Sequence, residues 1–298
     1  MIRVYLSLAL AMAMVGGNIA VGKSIVEEVP LFVFMVVRGI VAVGVLYPWM
    51  RLVNNETIPR DKFVWRELFL QSFLGIFLFS VFMLLGVGYT TAVSAGIITS
   101  TIPAVVAVLS WVILKEKLSV MTCLAIALAV GGVALTNLAN ADDSGSTALL
   151  GGALVMLAVV MEALFTIFAK RLSNRLSPVQ LATGVNVVSL VLFLPFGVWQ
   201  GWNTDLSLIP TETWLMMAYY ALTASVLSFY FWYWGVARVS ASTAGLFTAV
   251  MPVSAAVAGI LFLSETFSLM QAIGMAAVLA AIAVGTVGSK QSKIVSAL

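Results

Sequence analysis

The stretch from Gly86 to Ser119 reads GVGYTTAVSAGIITSTIPAVVAVLSWVILKEKLS, and the stretch from Gly235 to Ser268 reads GVARVSASTAGLFTAVMPVSAAVAGILFLSETFS. Shifted by 149 residues, the two stretches align without a gap and share 12 of 34 residues. Because 149 is half of the 298-residue chain, the match indicates an internal duplication. We therefore expect a first repeat over residues 1–145 and a second over residues 146–298, within one domain.

The composition is that of a membrane protein. Hydrophobic residues make up 62% of the chain and charged residues only 9%, whereas an average soluble domain is about 25% charged. Apolar runs long enough to span a bilayer recur ten times, at residues 4–22, 31–50, 67–88, 92–114, 118–138, 148–170, 177–200, 213–237, 241–263 and 267–288. We predict an all-α membrane protein with ten transmembrane helices, in contact with the lipid bilayer and without a soluble domain.

The residue types present argue against a cofactor. The chain has no histidine, and its one cysteine, Cys123, makes an internal disulfide impossible and a His/Cys metal site very unfavourable. The segment Gly17-Asn-Ile-Ala-Val-Gly22-Lys23-Ser24 matches the phosphate-loop pattern G-x4-G-K-S, but that loop requires a preceding strand in a soluble domain. We expect no metal, no other cofactor and no nucleic-acid partner.

The basic residues predict an orientation. If the N-terminus is cytoplasmic, the outer loops hold only Lys23, Arg38 lies inside a span, and the cytoplasmic segments hold the other 13 of the 15 Lys and Arg residues. Such a bias follows the positive-inside rule and places both termini in the cytoplasm. Five spans in each half then make the repeats inverted, an arrangement typical of secondary transporters, which bind a small-molecule substrate between the halves.

The matched motifs resemble those of the drug/metabolite transporter superfamily, specifically the EamA-domain permeases. The residues that carry the resemblance are Pro103, Glu116 and Ser119, their mates Pro252, Glu265 and Ser268, the pattern Gly17-Asn18 to Lys23, Pro30, and Arg38-Gly-Ile-Val-Ala. The resemblance implies a central cavity, peripheral fifth and tenth spans, and export of amino acids, other metabolites or drugs. The aromatic amino acid exporter branch is the most similar one, which implies a bacterial inner membrane and a monomer or homodimer.

Two prolines are the strongest candidates for a transport site. Pro103 and Pro252 fall in the middle of the fourth and ninth spans, where proline frees the carbonyls of Thr99 and Thr248. Matched breaks in the two halves indicate the substrate site of a transporter, although they could also be kinks inherited by the duplication. We expect the hinge of the carrier to comprise Gly96, Pro103, Gly245 and Pro252.

The third and eighth spans offer a second set of candidates. Helical spacing places polar and aromatic side chains on one face of each span, a combination that suits an amphipathic ligand: Gln71, Phe79 and Phe82 in the third, and Tyr220, Ser228 and Phe231 in the eighth. The run of aromatic residues from 229 to 234 is also typical of an interfacial belt, so both interpretations stand.

Four further side chains lie inside spans. Arg38 could bind a substrate carboxylate, or it could have a purely structural role. Glu162 could carry a proton, since burial disfavours a charged carboxylate, or it could be a neutral acid in the bundle. Asn18, with Phe165 as its rough counterpart, could contact substrate or only bridge helices.

We expect a secondary transporter rather than an enzyme, and an exporter of aromatic or large apolar amino acids. A membrane-embedded enzyme lacks support because no histidine and no paired nucleophile and base are evident. A channel remains the other alternative, although no ring of charges of the kind that lines pores is present.

Overall fold

The computed structural model describes residues 1–89, 98–138, 148–263 and 269–295, and within these ranges the chain is helical and contains no strand. The α-helices are α1 (Ile2–Glu28), α2 (Leu31–Pro48), α3 (Lys62–Ser72), α4 (Phe79–Tyr89), α5 (Ile102–Leu114), α6 (Val120–Leu138), α7 (Ala148–Leu172), α8 (Pro178–Trp202), α9 (Thr211–Tyr220), α10 (Ser228–Val236), α11 (Ala241–Phe247), α12 (Val250–Leu263) and α13 (Leu269–Val295).

Three π-helical segments extend or join these helices. Trp49–Val53 continues α2, Phe73–Leu78 joins α3 to α4, and Ala221–Leu227 joins α9 to α10. The repeat shift of 149 residues carries the second segment onto residues 222–227, which lie within the third. The two halves therefore share a π-helical segment at matching positions, a feature that the sequence did not predict.

Six helices in the described ranges are long and apolar enough to cross a membrane: Ile2–Glu28, Leu31–Val53, Lys62–Gly86, Leu149–Leu172, Pro178–Trp202 and Thr211–Val236. Shorter apolar helices occupy four other predicted spans, at Ile102–Leu114, Val120–Gly131, Ala241–Ala255 and Ala272–Val284. The all-helical membrane fold is thus confirmed, whereas the count of ten spans stays a prediction.

Local sequence signals set several helix starts. Ser177 caps α8 by accepting a hydrogen bond from the backbone N–H of Gln180, whose side chain accepts one in return from the N–H of Ser177. This reciprocal pair satisfies two N–H groups that have no partner within the helix. Asp61 caps α3 in a similar way, with its carboxylate 2.8 Å from the N–H of Phe63.

Helices from the two halves interleave around a shared core. Helix α1 packs against α10 and α12, α2 packs against α8, and α4 packs against α7. The packing of α1 on α12 depends on Gly16, because a Cβ there would lie 2.1 Å from the backbone oxygen of Met251. Helices α6 and α13 pack mainly against each other, so they lie at the edge of the bundle.

The structure corrects the expected position of the two prolines within their helices. Pro103 lies in the first turn of α5, and Pro252 lies in the first turn of α12, after turns at residues 100–101 and 248–249. Proline is favoured at helix starts, since its missing N–H has no helical partner there, so each helix is broken and restarted rather than kinked. The carbonyl of Thr248 is not free, because it accepts a hydrogen bond from the N–H of Met251 at 3.1 Å.

The two glycines of the predicted hinge have different outcomes. Gly96 lies outside the described residues. Gly245 lies buried within α11, where an added Cβ would be 2.5 Å from a methyl carbon of Val106 in α5. Gly245 therefore permits a close approach of two helices, and its role as a hinge stays a prediction.

Candidate functional site

A cavity of about 230 Å³ lies where helices of the first and second halves meet. Known ligand pockets usually run from about 300 to 1,000 Å³, so this central cavity suits a small solute. Most of its walls come from the middle of the helices, the depth at which transporters bind their substrates. The lining residues are Met12, Val15, Met35, Arg38, Gly75, Ile76, Phe79, Ser80, Glu162, Phe165, Tyr220, Ser228, Phe229, Trp232 and Met251.

Arg38 brings a positive charge into the cavity from α2. Its guanidinium contacts only neutral groups among the described residues: the sulfur of Met35 lies 3.7 Å away, and the ring centre of Tyr220 lies 5.9 Å from the guanidinium carbon. A guanidinium carries five N–H donors. Most of these donors therefore have no acceptor among the described residues, and they are available to a ligand.

Glu162 brings a carboxyl group into the same cavity from α7. In the part of the chain that the structure describes, its carboxylate forms no hydrogen bond and no ion pair within 4.0 Å. The arginine and the glutamate thus face one cavity without neutralising each other directly. A ligand that carries both charges could bind between them.

Trp232 is a third unpaired group and was missed by the sequence analysis. Its side chain is 2% exposed and lines the cavity, and its indole N–H has no hydrogen-bond partner among the described residues. Leaving a buried donor unpaired is costly. The hydroxyls of Ser80 and Ser228 differ, because they already donate to the carbonyls of Ile76 and Ala11.

Six of the residues proposed from the sequence meet at this cavity: Arg38, Phe79, Glu162, Phe165, Tyr220 and Ser228. Phe165 packs against two rings of α10, with ring centres 5.9 Å from Phe229 and 6.2 Å from Tyr233. It also packs against Gly75, where a Cβ would lie 2.4 Å from the Cβ of Phe165. The aromatic part of the site is therefore tightly positioned.

Four other proposed residues line a second, smaller cavity of about 40 Å³. Thr99 and Pro103 face Thr248 and Pro252 there, so the two helix breaks lie against each other. Met251 lines both this space and the central cavity. The breaks thus adjoin the central cavity instead of forming its wall.

Gln71 and Asn18 bridge helices and do not line the central cavity. The amide of Gln71 donates to the carbonyl of Phe165 at 3.3 Å and to the hydroxyl of Tyr233 at 3.1 Å. The amide of Asn18 donates to its own helix and to the hydroxyl of Thr223 at 2.9 Å. These contacts favour the helix-bridging interpretation for both residues.

The structure places Phe231 away from the central cavity. It lines a lateral groove between α1 and α10 instead. Phe82, half-buried in α4, lines neither the central cavity nor this groove. Spacing could have identified Trp232, which lies four residues after Ser228 and hence on the same helix face.

Comparison with known proteins shows what the whole chain is similar to. The model of the EamA-like transporter family matches residues 2–138 and again residues 149–286, as a duplicated chain requires. The chain is 40% identical over 292 residues to the uncharacterized transporter YetK of Bacillus subtilis, covering 96% of this chain and 88% of that one. It is 27% identical over 221 residues to an uncharacterized transporter of Archaeoglobus fulgidus, covering 72% and 76%. A crystal structure of another protein shares the fold, with a TM-score of 0.80 at 15% identity over 95% of this chain and 96% of that one.

Proposed function

Since the chain belongs to the EamA-like transporter family, we propose that it is a secondary transporter which exports amino acids or similar amphipathic metabolites. Aromatic and large apolar amino acids are the favoured substrates. The substrate binds in the central cavity, which opens to one side of the membrane and then to the other.

The observation that carries this proposal is the set of unpaired groups in the cavity. Arg38 offers hydrogen-bond donors and a positive charge, and the Glu162 carboxylate offers an acceptor and a negative charge. An α-amino acid supplies the complement, because its carboxylate accepts from the donors and its ammonium donates to the glutamate. Both charges of the site are then paired when substrate is present.

The remaining walls favour an apolar side chain on the substrate. Phe79, Phe165 and Phe229 line the cavity together with Met12 and Met251. Aromatic rings pack well against other rings, and methionine side chains adapt to different shapes. Small polar sugars would leave this surface unmatched.

The duplication supports alternating access as the mechanism. Inverted repeats can exchange shapes, which opens a central site to either side. The π-helical segment Phe73–Leu78 lines the cavity through Ile76, and the matched segment Ala221–Leu227 lies between the cavity residues Tyr220 and Ser228. Such π-helical turns often mark functional sites. We further propose that the repeats are inverted, with both termini in the cytoplasm, and that the protein resides in a bacterial inner membrane.

Flux into liposomes tests the proposal. We expect purified wild-type protein to move radiolabelled phenylalanine or leucine, with saturation and without chemical change, and to be inhibited by other large apolar amino acids. Competition by small polar sugars without competition by amino acids would contradict the substrate class. Flux that does not saturate would indicate a channel, and a chemically altered product would indicate an enzyme.

Two substitutions locate the site. Arg38→Gln removes the charged donor for the substrate carboxylate, so the KM for amino acids should rise by roughly tenfold or more. Trp232→Phe removes only an N–H that is buried away from the cavity, so it should change the KM much less. Arg51→Gln is the matched control, because Arg51 is exposed and outside the cavity.

A further inference from the structure

A lateral groove of about 430 Å³ runs between the start of α1 and the end of α10. It is lined by Arg3, Leu6, Ser7, Leu10, Tyr230, Phe231 and Trp234. Along α1 it extends from residue 3 to residue 10, about 10 Å at 1.5 Å per residue. The groove is therefore long enough for a ligand to lie along it, from the start of α1 into the apolar part of the bundle.

The walls of the groove are fixed and largely apolar. The hydroxyl of Ser7 donates to the carbonyl of Phe231 at 2.7 Å, which ties α1 to α10 along the floor. Leu6 is 63% exposed and Leu10 is 43% exposed, so the apolar side of the groove faces outward from the bundle. In a membrane-spanning chain this surface contacts lipid.

Two arginines mark the end of the groove that lies near the N-terminus. Arg3 is part of its lining, and Arg238 stacks on the groove residue Trp234, with its guanidinium carbon 4.0 Å from the ring centre. Among the described residues, neither arginine forms an ion pair with an acid. The groove thus combines an apolar body with an uncompensated positive end.

From this combination we infer a binding site for one anionic phospholipid of the bilayer. The acyl chain lies along Leu6, Leu10 and Phe231, and the phosphate of the headgroup lies between Arg3 and Arg238. Basic pockets between transmembrane helices bind anionic headgroups, and tryptophan and tyrosine are enriched at headgroup depth. In the orientation proposed above, this end faces the cytoplasmic leaflet.

Charge favours a lipid over a second copy of the chain as the occupant. A second copy placed by two-fold symmetry would bring the same patch into the contact, so the arginines of both copies would approach each other. An anionic lipid neutralises these arginines. The inference does not depend on the transported substrate.

Native mass spectrometry tests the site with defined lipids. The full chain in detergent is titrated with phosphatidylglycerol or with phosphatidylcholine that carries the same acyl chains. We expect wild-type protein to retain phosphatidylglycerol in preference, and the double variant Arg3→Gln/Arg238→Gln to lose that preference by on the order of tenfold. The variant Arg3→Lys/Arg238→Lys should keep most of the preference. Leu10→Trp, which fills the groove, should lower the retention of both lipids.

The matched control is Arg51→Gln/Arg60→Gln, which removes the same charge from exposed positions outside the groove. Equal retention of both lipids by wild-type protein would overturn the inference, and so would an equal loss of preference in the control variant. Displacement of phosphatidylglycerol by millimolar inorganic phosphate would indicate a site for free anions instead. If the double variant Arg3→Gln/Arg238→Gln or the variant Leu10→Trp changes the fraction of dimer but not the retention of lipid, the groove binds a second copy of the chain instead.

Discussion

Glu116, just beyond the end of α5, is bound twice by Ser242 in the first turn of α11. The backbone N–H of Ser242 lies 3.1 Å from one carboxylate oxygen and its hydroxyl 3.0 Å from the same oxygen. The other oxygen accepts the N–H of Ala241 at 2.7 Å. A carboxylate at a helix N-terminus satisfies free N–H groups and complements the helix dipole. This contact gives a structural reason for the glutamate of the repeated motif, although its mate Glu265 lies outside the described residues.

The first prediction concerns the stability of this contact. Glu116→Ala removes all three hydrogen bonds, so we expect the free energy of unfolding to fall by about 2 kcal/mol. Glu116→Gln keeps a neutral acceptor and should cost about half as much. Thermal unfolding in detergent measures both, with exposed Lys117→Ala as the control. An unchanged melting temperature in Glu116→Ala would show that the cap does not stabilise the fold.

A second prediction compares two adjacent glycines of α1. At Gly16 an added methyl group would lie 2.1 Å from the backbone oxygen of Met251, whereas at Gly17 nothing lies within 4 Å. Gly16→Ala should therefore lower the free energy of unfolding by about 1–3 kcal/mol, the usual cost of overpacking. Gly17→Ala should be neutral or slightly stabilising, because alanine favours a helix. Similar melting temperatures for the two variants would contradict the close packing of α1 on α12.

Apolar runs and the internal duplication predicted the helical membrane fold, and both can be recognised in the sequence alone. Helical spacing and position inside a span predicted six of the residues at the central cavity. Which side chains of the third and eighth spans face the cavity could not be predicted in the same way. The helical spacing used for the third and eighth spans assumed an uninterrupted α-helix.

The π-helical segments change the helix faces. Each π turn holds more residues than an α turn, so the faces after Leu78 and Leu227 are rotated relative to those before, and Gln71 and Phe79 do not share the cavity. Phe231 is a separate case, because it follows the segment in the same α-helix as Ser228: three residues turn its side chain by about 60° from that of Ser228, and it faces the lateral groove. Nothing in the apolar sequence of these segments signals a π turn, because no proline or polar residue is required for one.

The third prediction concerns Glu162 as a proton site. Glu162→Gln keeps the size of the side chain and removes its titratable group. If the carboxyl couples transport to protons, the variant should lose the pH dependence of transport, and it should also bind substrate more weakly because the ammonium loses its charged acceptor. Flux into liposomes at several external pH values measures this. Glu27→Gln, an exposed acid in the last turn of α1, is the control. A variant with the pH profile of the wild type would return Glu162 to a structural role.

The fourth prediction concerns the orientation of the chain. Exposed Cys123 is first replaced by serine to give a cysteine-free background. Single cysteines are then placed at two exposed loop positions, Leu208→Cys and Thr57→Cys. Because 13 of the 15 basic residues fall on one predicted side, an impermeant thiol reagent added outside cells should label position 208 and not position 57. Labelling of position 57 alone would reverse the orientation, and labelling of both would contradict the topology.

The last prediction concerns the two prolines at the helix breaks. Pro103 and Pro252 each begin a helix after a turn, and alanine there would allow the preceding segment to continue as one helix. A continuous helix bends less readily, so Pro103→Ala and Pro252→Ala should slow transport while insertion and folding stay largely intact. Pro195→Ala is the control, since Pro195 lies inside α8 and away from the cavities.

The proposed inverted arrangement of the repeats makes this prediction directional. Because the two breaks occupy opposite orientations in inverted repeats, the two variants should shift the carrier toward opposite sides. A shift of about 1.4 kcal/mol between the two states changes their ratio tenfold, and reagent access to a cysteine at cavity residue Val15 would report it from each side. Access should increase from one side in Pro103→Ala and from the other side in Pro252→Ala. Wild-type rates and unchanged access in both variants would mean that the prolines only start helices and that the carrier moves elsewhere.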